Sequence, residues 1–135
     1  MSTWWDKYIG IPFKDHGRDR TACDCYGLLR LVYAQQLGKE LPVLLNEYES
    51  TTDREQLSKL MEVQPTIMGF QQIPIKKAMP FDVLIVRQMG ADCHIGIVVK
   101  RGLMIHTEKG KNCCAEEYNR PHIKPRIKEA WRYVG

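Results

Sequence analysis

The sequence predicts an α+β domain, with helices first and an antiparallel sheet after them. Two observations carry this. Ahead of residue 70 apolar residues recur at helical intervals, most plainly Leu28, Leu29 and Val32 at three, four and seven positions after Cys25. From Phe70 onward the spacing is that of strands, with β-branched runs in Val83-Leu84-Ile85-Val86, Ile95-Gly96-Ile97-Val98-Val99 and Leu103-Met104-Ile105. A chain of 135 residues with 44% hydrophobic and 27% charged residues supports one core, so a single domain is expected over 1–135.

In chain order, Thr3 to Ile9 reads as one or two helical turns stopped by Gly10, offering Trp4, Trp5 and Tyr8 to the domain. Ile11 to Ala22 is a polar loop punctuated by Pro12 and Gly17. The main helix is expected from near Asp24 to Leu37, where Gly38 supplies the stop and Pro42 prevents a restart. Thr52-Asp53-Arg54-Glu55 has the spacing of a capping box, followed by Leu57, Leu60 and Met61, and predicts a second helix. Beyond the central strands, Cys113 to Glu116 and Trp131 to Val134 are expected as edge strands.

Cys25 stands at the threshold of the main helix and begins its apolar stripe, so its sulfur is directed inward. At a helix N-terminus the first N–H groups lack intrahelical partners and the dipole is positive, which favours thiolate over thiol. The same position also suits an inert buried cysteine. What separates the two readings is a base.

The hairpin through Lys100-Arg101-Gly102 supplies candidates. A three-residue loop with Gly102 in the left-handed region sets Val99 opposite Leu103, Val98 opposite Met104 and Gly96 opposite His106. One face then holds Ile95, Ile97, Val99, Leu103 and Ile105, and the other His94, Gly96, Val98, Met104 and His106. His94 and His106 become diagonal neighbours roughly 7–8 Å apart at Cα, with bare Gly96 between them. If this face meets the cysteine helix, a thiol, an imidazole base and a third polar group to orient the base come together, as cysteine acyl transfer requires.

Other function classes fit less well. The net charge of +4 is mild and dispersed, which argues against nucleic acid. The charged N-terminus resembles no leader, and no stretch is long and apolar enough to span a membrane, so synthesis as a soluble cytoplasmic protein is expected. Five cysteines, an odd number, suit a reducing compartment. A metal site drawn from Cys23, Cys25, Cys93, His94, Cys113 and Cys114 is the competing use of these side chains. It is disfavoured because neighbours such as Cys113-Cys114 and Cys93-His94 point to opposite sides of a strand, and neither metal nor cofactor is expected.

Taken in order, Gly10-Ile11-Pro12-Phe13, His16-Gly17, Asp24-Cys25-Tyr26-Gly27, Pro80-Phe81-Asp82, His94-Ile95-Gly96-Ile97 and Ile105-His106 resemble the motifs of the NlpC/P60 cysteine peptidases. Members of that family have a papain-like fold and cut peptide stems of bacterial cell walls. The resemblance implies Cys25 as nucleophile, His94 as general base and His106 as orienting third member. It also implies Asp24 and Tyr26 at the position that holds the stem's free amine, with Phe13 and His16 lining the same surface. Phe13 stands where the family usually has Tyr, His16 where it has Gly, and Tyr26 where it has Ser, so the recognition surface departs from the usual one. The implied partner is a peptidoglycan stem peptide, cut between γ-D-glutamate and the following diamino acid. Members lacking leader and wall-binding repeats occur in bacteriophage tails, which makes other tail proteins further expected partners. The runners-up are another Cys–His acyl hydrolase, and a tail assembly protein that keeps the fold without hydrolysis.

Overall fold

A computed structural model describes residues 3–14, 17–41, 69–88, 91–108 and 110–135, with backbone alone for residues 18, 88 and 91–94. The expected second helix around Thr52 to Met61, and Pro42, lie outside these residues.

The chain enters through a 3-10 turn at Asp6–Tyr8 and Gly10, whose φ of +92° only glycine adopts without strain. A small antiparallel pair follows, β1 (Arg18–Asp19) with β2 (Ala22–Cys23), where the sequence suggested only a loop. Its turn is built by Asp19, whose carboxylate accepts from the amide and hydroxyl of Thr21. Two-residue strands carry no hydrophobic period, which is why pattern alone misses them.

Helix α1 (Cys25–Val32) begins at Asp24, whose extended backbone (φ −90°, ψ −175°) and Oδ1, accepting from the Gly27 amide at 2.7 Å, form an N-cap. From Tyr33 to Leu37 the helix widens into a π turn, and Gly38 closes it at φ +64°. The expected boundaries therefore hold. Leu28, Leu29 and Val32 are buried, each worth about 1.5–3 kcal/mol in removal from water.

The remaining strands are β3 (Phe70–Ile73), β4 (Val83–Gln88), β5 (Ala91–Lys100), β6 (Leu103–Glu108), β7 (Lys111–Glu117) and β8 (Ile127–Tyr133). They form one antiparallel sheet in the order β3-β8-β4-β5-β6-β7. Of the two expected edge strands, β7 is one. The segment ending in Trp131 to Val134 is not, because β8 pairs with β4 on one side and β3 on the other. The outer edge of β7 is itself covered, since Cys113 exchanges backbone hydrogen bonds with Gly10 (2.8 Å) and Ile11 (2.9 Å).

The β5–β6 register matches expectation at Gly96↔His106 and Val98↔Met104. At the turn it does not: Lys100 rather than Val99 faces Leu103, because an irregularity between Val98 and Lys100 absorbs one residue ahead of Gly102, at φ +86°. Both faces of the sheet are buried. Ile85, Ile95, Ile97, Val99 and Ile105 pack with Leu28, Leu29 and Val32 of α1. Leu84, Val86, Val98 and Met104 pack with Tyr118, Ile123, Ile127 and Ala130. The helix thus rests on the aliphatic face of the hairpin, not on the face assigned to His106.

Two polar devices hold the turn into β4. Arg132 grips the buried carboxylate of Asp82 through Nε (3.1 Å) and Nη2 (2.9 Å), and Asp82 also accepts from the Met79 amide at 2.8 Å. Phe81 adopts φ +75°, a left-handed conformation costly for any residue with a Cβ. Its ring stacks on Trp4 at 4.7 Å, and its carbonyl accepts from Tyr33 Oη at 2.5 Å.

Candidate active site

Cys25 is the first residue of α1 and is 2% exposed, packed in the same core as Ile95, Ile105 and Cys113. Asp24 caps this helix by accepting from the Gly27 amide, and the helix dipole places its positive end at Cys25. Helix α1 packs against β5 and β6, the strands that hold the two candidate histidines.

The His94 backbone pairs with Val86 on β4, two residues before the Gly96↔His106 pair; its side chain is outside the described set. Ladder irregularities fall beside both histidines, between Val86 and Arg87 opposite the Asp92–His94 segment, and between His106 and Glu108. Such shifts break strict alternation and re-aim side chains. They sit at the end of the sheet where the sequence places the chemistry.

His106 is 4% exposed. Its Nε2 lies 2.7 Å from Glu116 Oε1 and 3.7 Å from Cys114 Sγ, both on β7, where Cys114 is its register partner. Burial lowers the His106 imidazole below its ordinary value, outweighing the opposing pull of Glu116 and Glu108. Burial alone would raise the Glu116 carboxyl, but the hydrogen bond from His106 and the charges of His106, Lys111 and His122 bring it below the usual range. The short contact therefore joins the His106 ring to a group that favours its carboxylate form. Sequence reading missed Glu116 and the position of Cys114; the signal was strand alternation from His106 across a hairpin whose loop length was not assigned.

His106, Cys114 and Glu116 are also the group among the described residues whose donor atoms can face one ion, all within 4.8 Å of one another. Two ligands of one tetrahedral zinc, at bonds of about 2.0 Å, stand roughly 3.3 Å apart. The 2.7 Å between Nε2 and Oε1 is instead a hydrogen bond closed on itself. Of the cysteines in the competing metal reading, Cys114 alone enters this group, while Cys23, Cys25 and Cys113 form none among the described residues. The Cys113 thiol is pushed up to about 12, first by burial and then by its neighbours Cys23 and Cys114, and burial raises Cys114 as well. Neither is set up as a nucleophile.

Of the expected recognition residues, Asp24 is fully buried as the helix cap, and Tyr26 is 1% exposed in the core. Phe13 is half-buried and bridges to Cys23. His16 lies outside the described residues. Two open grooves of about 590 and 380 Å³ run beside the β5–β6 turn, lined in part by Lys100, Arg101 and Lys124, and include none of these residues.

A cysteine at a capped helix start, carried on an antiparallel sheet with a histidine–carboxylate pair, defines a papain-like α+β domain. The profile of the NlpC/P60 family matches residues 10–132, and the chain belongs to that family. Among characterised relatives it is similar to the murein DD-endopeptidase MepS/murein LD-carboxypeptidase of Escherichia coli K12, 22% identical over 126 residues. That alignment covers 93% of this chain and 57% of the relative, so the chain spans little more than half the relative's length. Among solved structures it is similar to the NlpC/p60 domain of the peptidoglycan hydrolase SagA, at 22% identity and TM-score 0.64 over 93% of this chain and 90% of that one. An NlpC/P60 family protein of Bacillus cereus gives 17% identity and TM-score 0.66 over 95% of this chain and 37% of that one. At such identities the structural likeness establishes the fold.

Proposed function

We propose that residues 1–135 form one catalytic domain, a cysteine endopeptidase that hydrolyses an amide in peptidoglycan stem peptides. The observation that carries this reading is the placement of Cys25: buried at the capped start of α1, on a helix packed against β5 and β6. Family membership supports the substrate class, and the named activities of MepS and SagA agree with it.

In the proposed mechanism the Cys25 thiolate attacks the carbonyl carbon, and the developing oxyanion is received by backbone N–H groups at the helix start. His94, reached from Cys25 across the end of the sheet where both ladders are irregular, accepts the thiol proton and returns it to the leaving amine, with His106 orienting the His94 ring. Water then attacks the thioester, releasing the acid and restoring the thiol. The bond assigned is that between γ-D-glutamate and the diamino acid. Phe13 and His16 are assigned to the recognition surface, with buried Asp24 and Tyr26 shaping it from beneath, and the departures from the family pattern relax the requirement for a free amine. Carriage in a phage tail belongs to the same proposal and rests on the resemblance alone.

Incubation with purified muropeptides, read by mass spectrometry, tests it. Expected is scission of the stem peptide that disappears in Cys25→Ala. Cleavage of a sugar linkage, or scission that survives the substitution, would eliminate the mechanism.

A further inference from the structure

We propose that Glu116 is a positioning residue that selects the tautomer of His106, keeping its proton on Nε2 so that Nδ1 is presented as an acceptor. The inference rests on the assignment of His106 as the member that orients the base.

A third member must accept the N–H of the base. Asn or Asp does so with a fixed oxygen, but a neutral imidazole has one N–H and one lone pair, and either nitrogen can hold the proton. A histidine here therefore needs something to choose. Glu116 does: a carboxylate only accepts, and its Oε1 lies 2.7 Å from Nε2, so Nε2 must be the donor. Lys111 Nζ at 3.8 Å and His122 Nε2 at 3.9 Å stand around that carboxylate and favour its charged form.

The choice is contested within the structure. Cys114 Sγ is 3.7 Å from the same Nε2, and a thiol can donate to an unprotonated nitrogen. Without Glu116, an S–H···Nε2 hydrogen bond becomes available, and it favours the other tautomer, with the proton on Nδ1. That form offers a donor where the base also offers one. Glu116 thus converts a residue of ambiguous polarity into an acceptor of fixed polarity, and it does so from β7 through the His106 ring.

The test uses the whole chain labelled with ¹⁵N-histidine, in wild-type, Glu116→Gln and Glu116→Ala forms, with His106 signals assigned by their loss in His106→Gln. Expected is an Nε2–H tautomer in wild type, retained in Glu116→Gln through its amide oxygen and shifted toward Nδ1–H in Glu116→Ala. Glu116→Ala is expected to lower kcat by about 10- to 100-fold, with KM changing little. Glu116→Gln should recover much of that loss. An Nδ1–H tautomer in wild type, or an unchanged tautomer in a folded Glu116→Ala, would overturn the assignment. If Glu116→Ala does not fold, the wild-type spectrum and the Glu116→Gln kinetics decide it. A wild-type chain that cuts no stem peptide overturns the peptidase reading instead, and the spectra still settle which nitrogen Glu116 holds.

Discussion

The carbonyl oxygen of Gly17 occupies the space a side chain on Gly27 would need, so the loop before β1 lies directly on the first turn of α1. A Cβ on Gly17 would in turn meet the backbone of Ala22 and Cys23. The two glycines are a matched pair, and they hold the start of the cysteine helix against the loop that precedes it.

Gly27→Ala is therefore expected to destabilise the protein by about 1–3 kcal/mol, the usual cost of overpacking. In an exposed helix the same change stabilises by about 1 kcal/mol. The sign is the test. Urea unfolding of the variant should show a lower midpoint at unchanged slope, and a raised midpoint would remove the claim of contact.

Phe81 makes an unusual order of substitutions. Its φ of +75° is strained for any residue with a Cβ, while its ring stacks on Trp4. Phe81→Ala loses the ring and keeps the strain. Phe81→Gly loses the ring and relieves it, so Phe81→Gly should be the more stable of the two by about 1 kcal/mol. Thermal or urea denaturation of both variants compares them, and Phe81→Ala being the more stable would contradict the backbone reading.

The described thiols are expected to differ in reactivity against their exposure. Cys25 is buried but stands at a helix N-terminus, whereas Cys114 is half-buried and its thiol, like that of Cys113, is raised by burial. A limiting dose of a small alkylating reagent at mildly acidic pH, followed by peptide mapping, should label Cys25 first. Earlier labelling of Cys114 would show that access governs reactivity and would sink the nucleophile assignment.

Stability should fall as the solution is acidified, in two stages. Burial holds His106 below its ordinary value of about 6.5, so from there downward the unfolded chain binds a proton that the folded chain resists. Glu116 is held below its ordinary value of about 4.5 by its hydrogen bond to His106 and by nearby positive charge, in excess of the opposing effect of burial, and adds a second fall below that pH. Glu108, Lys111, Cys114 and His122 also face this pair and tune both stages. Urea midpoints measured from pH 7.5 downward should decline in wild type, and the first stage should be weaker in His106→Gln. An equal decline in that variant would assign it to other groups.

The sequence by itself determined the α+β order, the span of the cysteine helix and its Gly38 stop, because these depend on local period and caps, and it reached the Gly96↔His106 register because the irregularity between Val98 and Lys100 offsets the shorter turn. It also marked Gly17, Gly27 and the Pro80-Phe81-Asp82 turn as motif positions without saying why. Only the tertiary structure decided that α1 rests on the aliphatic face of the hairpin, that β8 is internal, and that Gly17 and Gly27 meet. Only it placed Glu116 against His106. The reason is that strand order, the side a helix covers and ladder irregularities follow from packing between segments far apart in the chain, which residue spacing does not encode.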